Sequence, residues 1–163
     1  MGDTPSASTL EAAESLLFVN MLFDAPRERV FRAWTDPQQL AQWWGPRGFT
    51  TQVCDVDVRP GGSLHIQVRS PEGSVFRTTG VYEEILEPER LVFGLVVLDG
   101  EDRALFEVHH LVIFAEPPTT LILQARVFNR VPEAEPYLEA MPRGWGESLE
   151  RLGQYLELAR SQS

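Results

Sequence analysis

The chain has 163 residues, 43% hydrophobic and 23% charged, with 24 acidic side chains against 14 basic ones and a net charge of -10. This is the composition of an ordinary soluble domain, long enough to bury roughly two thirds of its unfolded surface. The basic residues are all arginines scattered between acids, which excludes the clustered basic face that a nucleic acid requires.

Residues 1–13 are small and polar and are expected to be flexible, ahead of a single domain over 14–160. From Ser15 to Phe23 the chain is apolar on both faces and reads as a strand. Asp24-Ala25-Pro26 ends it, with Asp24 placed to cap a helix whose first turn suits Pro26. Arg27 to Trp34 forms that helix, and Asp36-Pro37 repeats the device for a second one over Gln38 to Trp44. Gly45-Pro46-Arg47-Gly48 stops it.

The hydrophobic period then changes to two. Strands are predicted over Phe49–Val58, Ser63–Arg69, Val75–Leu86, Leu91–Leu98, Ala104–Ala115 and Thr119–Asn129, joined by turns such as Pro60-Gly61-Gly62, Pro71-Glu72-Gly73 and Asp99-Gly100. In Ser63–Arg69 the alternation is clean: Leu64, Ile66 and Val68 oppose His65, Gln67 and Arg69, so only the first set faces a core. Gly80 is placed at a bend or bulge. Short turns between successive strands make an antiparallel meander. Pro132, Pro136 and Pro142 then mark a linker or broken helix, and a long helix of about 25 Å follows from Arg143 to Ala159. Its Trp145, Leu149, Leu152 and Leu156 recur at helical spacing on one stripe.

The order is β-α-α-β-β-β-β-β-β-α, an α+β arrangement with a curved antiparallel sheet and a long terminal helix packed across its concave face. A sheet of ~6–7 strands twisting ~20–25° per strand curls into a half-barrel, and one helix cannot fill it. A hollow is therefore expected between sheet and helix. Its predicted lining is Trp44, Phe49, Leu64, Ile66, Val68, Phe76, Phe93, Leu95, His110, Val112, Trp145, Leu149 and Leu152. A wall this apolar favours a hydrophobic or aromatic small molecule in a space on the order of 300–1,000 Å³.

Chemistry is sparse by comparison. The histidines are His65, His109 and His110; the last two are neighbours in a strand and point to opposite faces, and no Cys or His pair has zinc spacing, so neither a metal site nor a cofactor is expected. There is no Gly-x-Ser-x-Gly elbow, and Pro60-Gly61-Gly62 joins two strands rather than opening a helix. Cys54 sits in a strand as a small buried hydrophobe and has no partner for an internal disulfide. Glu107, His110 and Arg126 are the polar strand residues that could reach the hollow. Glu107 and His110 lie on opposite parities, and His110 is preferred because Val112 and Phe114 share its face. The longest apolar run, Leu91–Leu98, is far short of the ~20 residues that span a bilayer. With no charged-then-apolar leader, the expected location is cytoplasmic.

Asp24-Ala25-Pro26, Trp34-Thr35-Asp36-Pro37, Leu40-Ala41-Gln42-Trp43-Trp44-Gly45-Pro46, Val56-Asp57-Val58-Arg59-Pro60-Gly61-Gly62 and Gly144-Trp145 together resemble the activator-of-heat-shock-protein-ATPase homologue family, over residues 15–158. The resemblance implies the START-like, pollen-allergen-like helix-grip superfamily (SRPBCC), whose members include carriers of lipids and hormones, polyketide cyclases or aromatases, and chaperone-activating domains. Three functions are therefore carried forward. The first is a binding protein for an apolar small molecule held under the terminal helix. The second is a cyclase-like enzyme, which needs at least two of Glu107, His110 and Arg126 in one cavity. The third is a chaperone partner acting through its surface. A homodimer through a strand edge is left open.

Overall fold

The computed structural model describes residues 15–115 and 119–162, so the segment expected to be flexible lies outside the described residues. Seven strands form one sheet: β1 (Ser15–Phe23), β2 (Thr50–Val56), β3 (Ser63–Arg69), β4 (Val75–Leu86), β5 (Arg90–Leu98), β6 (Ala104–Ala115) and β7 (Thr119–Phe128). Two short helices, α1 (Arg27–Thr35) and α2 (Pro37–Trp43), follow β1, and α3 (Glu135–Gln162) closes the chain. The sheet order is β1-β7-β6-β5-β4-β3-β2, and every neighbouring pair is antiparallel. Strands β2 to β7 are the expected meander. The β1–β2 connection carries both short helices from one edge of the sheet to the other.

The period-two pattern decides which face is buried. Along β7, Leu121, Leu123, Ala125 and Val127 are buried while Ile122, Gln124, Arg126 and Phe128 are half-buried on the convex side. The inward set continues as Phe106, Val108, His110, Val112 and Phe114 on β6 and as Leu91, Phe93 and Leu95 on β5. Above this face lies the α3 stripe of Trp145, Leu149, Leu152 and Leu156, all buried.

The helix termini follow local chemistry. Asp36 caps α2 as expected: its Oδ1 accepts from the Gln38 N–H at 3.0 Å and its Oδ2 from Gln39 Nε2 at 3.1 Å. For α1 the cap position falls on Pro26, two residues later than expected of Asp24. Gly45 takes φ +96° just beyond α2, the left-handed conformation that ends helices.

Three local expectations need correction. The bend assigned to Gly80 lies elsewhere: the β4–β5 register shifts between Tyr82 and Glu84. What Gly80 provides is close approach, since a Cβ there would sit 1.8 Å from the Gly94 carbonyl oxygen. The turn after β5 is longer than a two-residue hairpin. Asp99 Oδ1 accepts from the backbone N–H groups of Glu101 (2.8 Å) and Arg103 (2.9 Å), and Asp102 takes φ 65°. The largest correction concerns α3, which begins at Glu135, eight residues before the expected start, after a 3-10 turn over Pro132–Ala134. Pro136 falls in the first turn, where its missing N–H costs nothing. Pro142 sits inside the helix and forgoes one backbone bond, to the Leu138 carbonyl. Burial of Ala134 and Leu138 against Leu105, Phe106 and Val127 holds this extra segment in place.

Candidate functional site

The four tryptophans of the chain meet at one end of the concave face. Trp34 from α1 stacks on Trp145 from α3 at 5.8 Å and meets Trp43 edge-on at 4.8 Å, while Trp44 meets Trp145 edge-on at 5.5 Å. Trp43 Nε1 donates to the Ala33 carbonyl at 2.9 Å, tying α2 to α1. Contacts of this geometry add about 0.5–1.5 kcal/mol each beyond area burial, so this end of the cup is closed.

At the other end the space stays open. A cavity of about 380 Å³ lies between β3–β6 and the first half of α3. Its lining includes Trp44, Phe49, Val68, Phe76, Leu95, His110 and Trp145 of the thirteen residues expected from the sequence. The other six do not line it. Leu64, Ile66 and Phe93 border a separate void of about 10 Å³, with room for at most a single water molecule. Val112, Leu149 and Leu152 are fully buried in solid core. All six point to the expected face; they lie too far along it, where Trp34, Trp43 and the α1–α2 pair fill the hollow.

Sequence reasoning missed Val97, Phe106 and Val108 of the sheet wall, and Tyr137, Ala140, Met141, Gly144 and Ser148 of α3. Val97 and Val108 continue the parities of Leu95 and His110, a signal that was available. Tyr137, Ala140 and Met141 belong to the part of α3 read as a linker.

The strand register gives the cavity a direction. His110 is level with Phe93 and Tyr82, beside the tryptophans. Ser70 and Ser74 flank the β3–β4 hairpin at the opposite end, where Glu72 and Tyr137 are exposed, and this end is the mouth. The loop after α2 is strapped to α3 along one side. Arg151 Nη1 donates to the carbonyls of Trp44 (3.2 Å), Gly45 (2.9 Å) and Pro46 (3.1 Å), and its Nη2 to that of Gln42 (3.2 Å). Glu147 Oε1 accepts from the Arg47 N–H at 3.1 Å, a bond that, with Arg143, holds the Glu147 carboxyl below the usual carboxylate range.

Of the three polar candidates, only His110 enters the cavity. Its ring stacks on Phe93 at 4.4 Å and meets Trp145 edge-on at 5.7 Å. Burial, partly opposed by a bond to the Phe93 carbonyl, pushes its pKa down to about 3, so the imidazole is neutral at physiological pH. Glu107 faces outward and accepts from Asn129 Nδ2 at 2.8 Å, and Arg126 lies on the same convex face. The cavity therefore holds one of these three residues, where the cyclase-like reading needs two. Cys54 is half-buried, and burial raises its thiol pKa to about 11, ahead of the neighbouring charges of Asp55 and Asp36. No group of His, Cys, Asp or Glu among the described residues is arranged to hold a metal ion. Nor is any described helix long and apolar enough to cross a membrane.

A curved seven-stranded antiparallel sheet gripping a long terminal helix over an apolar cavity defines a START-like helix-grip protein. Residues 24–157 match the family described as "Activator of Hsp90 ATPase homolog 1-like protein", and the chain belongs to that family. Among solved structures it is similar to the AHSA1 protein of Silicibacter pomeroyi, with 26% identity, TM-score 0.75, and coverage of 89% of this chain and 99% of that one. An uncharacterised protein of Rhizobium leguminosarum shares the fold at 24% identity and TM-score 0.76, over 88% of this chain and 94% of that one. A Mycobacterium smegmatis protein does so at 22% identity and TM-score 0.75, over 90% and 92%. None of the curated proteins compared with the chain matches it.

Proposed function

We propose that this protein is a cytoplasmic binding protein for a hydrophobic or aromatic small molecule, held between the sheet and α3, with no reaction carried out on it. The observation that carries the reading is the cavity of about 380 Å³, within the range of small-molecule sites and walled by Phe49, Val68, Phe76, Leu95, Phe106, Val108 and Trp145. A space this apolar gains from excluding water, at about 25 cal/mol per Å² of apolar surface removed from it. A single neutral imidazole supports orientation of a guest better than it supports chemistry, since general acid–base catalysis needs a group that changes protonation near the working pH. The family description names an activator of a chaperone ATPase; such a role would act through the outer surface and would leave the cavity unexplained.

The test is a titration with the neutral fluorophore N-phenyl-1-naphthylamine. The wild type should show one saturable site, and a Val68→Phe/Val108→Phe double variant, which fills the space from two strands of the sheet, should lose affinity by about tenfold or more, at least ~1.4 kcal/mol. Unchanged affinity in a folded double variant would reject the internal site.

A further inference from the structure

The cavity is apolar but not featureless: the hydroxyls of Ser70, Ser74 and Tyr137 stand at its mouth, and its inner polar groups are fewer. The hydroxyl of Thr78 donates to the Ile66 carbonyl at 3.3 Å and that of Ser148 to the Gly144 carbonyl at 2.9 Å, so the hydrogens of both are spent on the backbone. No Arg lines the space, the chain has no Lys, and the one ionisable carboxyl on the wall is Glu72 at the mouth. At the closed end stands His110. Its Nδ1 lies 3.4 Å from the Phe93 carbonyl oxygen, which can only accept, so the proton of the neutral ring is assigned to Nδ1. That assignment leaves Nε2 as a lone-pair acceptor, and no described residue donates to it. The inner end of the cavity thus offers an acceptor on His110 beside the indole N–H donors of Trp44 and Trp145, and it holds no cation.

On the reading that the cavity binds a small molecule, we propose that it selects neutral guests with a hydroxyl or N–H at their buried end, donating to His110 Nε2, and rejects a carboxylate at that end. Phenols, indoles and ring alcohols fit this description; an aryl acid that buries its carboxylate does not. A phenol or indole ring would also stack or meet edge-on with Trp145 and Phe76, which wall the same space. An anion placed there would lose its hydration with no charge partner, and a buried unpaired carboxylate costs several kcal/mol. Burial keeps the imidazole itself from becoming the missing cation at physiological pH.

The test compares 2-naphthol, 2-methoxynaphthalene and 2-naphthoate by titration calorimetry at pH 7.5. The three share a ring system and differ in whether the substituent donates, only accepts, or is charged. The expected result is that 2-naphthol binds about five- to twentyfold more tightly than its methyl ether, the value of one hydrogen bond to a buried acceptor, while 2-naphthoate binds most weakly. In His110→Phe the naphthol-to-ether ratio should fall to about one. If that variant does not fold, the wild-type ratio alone decides. Equal binding of naphthol and ether, or tightest binding by the naphthoate, would overturn the selectivity while leaving an apolar site standing. Failure of all three to bind would overturn the binding-protein reading itself.

Discussion

Replacing His110 with Phe should remove a pH dependence of stability that the fold builds in. The folded imidazole takes a proton only near pH 3, whereas in the unfolded chain it does so near 6.5. Below about pH 6.5 the unfolded state therefore binds more protons than the folded one, and stability falls as the pH drops until both are protonated near pH 3. The free-energy difference is RT ln[(1 + 10^(6.5−pH))/(1 + 10^(3−pH))], which gives about 2 kcal/mol lost at pH 5 and almost nothing at pH 7.5. The figure at pH 5 hardly changes if the folded value moves by a unit, because it depends on the unfolded one. Urea unfolding of the wild type at pH 7.5 and pH 5.0 should show this loss, and His110→Phe should lack it. Phe retains an aromatic ring against Phe93, and the comparison between proteins cancels contributions from carboxylates. An equal pH dependence in both proteins would mean that His110 reaches water when folded, and the account of a desolvated inner end would fail.

Two further outcomes follow from the same geometry. Cys54, with its thiol pKa raised to about 11, should react with iodoacetamide at pH 8 about a hundredfold more slowly in the folded protein than after unfolding in urea, where the thiol returns to 9.0; equal rates would place it in water. Arg151→Met should cost about 2 kcal/mol, because the α2–β2 loop loses its charged donor, and should raise the dissociation rate of N-phenyl-1-naphthylamine by freeing Trp44 on the cavity wall; unchanged stability and release would show that the loop holds itself.

The sheet was legible because burial on one face imposes an alternation that the sequence records directly. Apolar and polar residues alternate in the sequence of Ser63–Arg69, buried and half-buried positions alternate along Thr119–Phe128 in the structure, and Val112 and Phe114 placed His110 on the inner face. The α3 stripe from Trp145 to Leu156 was equally plain. What the pattern cannot carry is position along a strand. Leu64 and Val68 share a face and a residue class, yet one packs beneath the tryptophans and the other borders open space. That difference is set by where α1 and α2 land, which depends on long-range packing of Trp34, Trp43 and Trp44. The start of α3 was hidden for a different reason. Three prolines in eleven residues read as breakers, but two of them stand at or near helix starts where they are harmless, and burial of Leu138 offsets the one bond lost at Pro142.

The most direct test is the location of a bound guest by NMR. With protein labelled at its methyl groups and saturated with 2-naphthol, the account predicts intermolecular NOEs to Val68, Val97, Val108 and Met141, from both walls of the cavity at once. NOEs confined to the exposed Leu22 of β1 and Leu158 of α3, with none to those four side chains, would place the guest on the outer surface and contradict it.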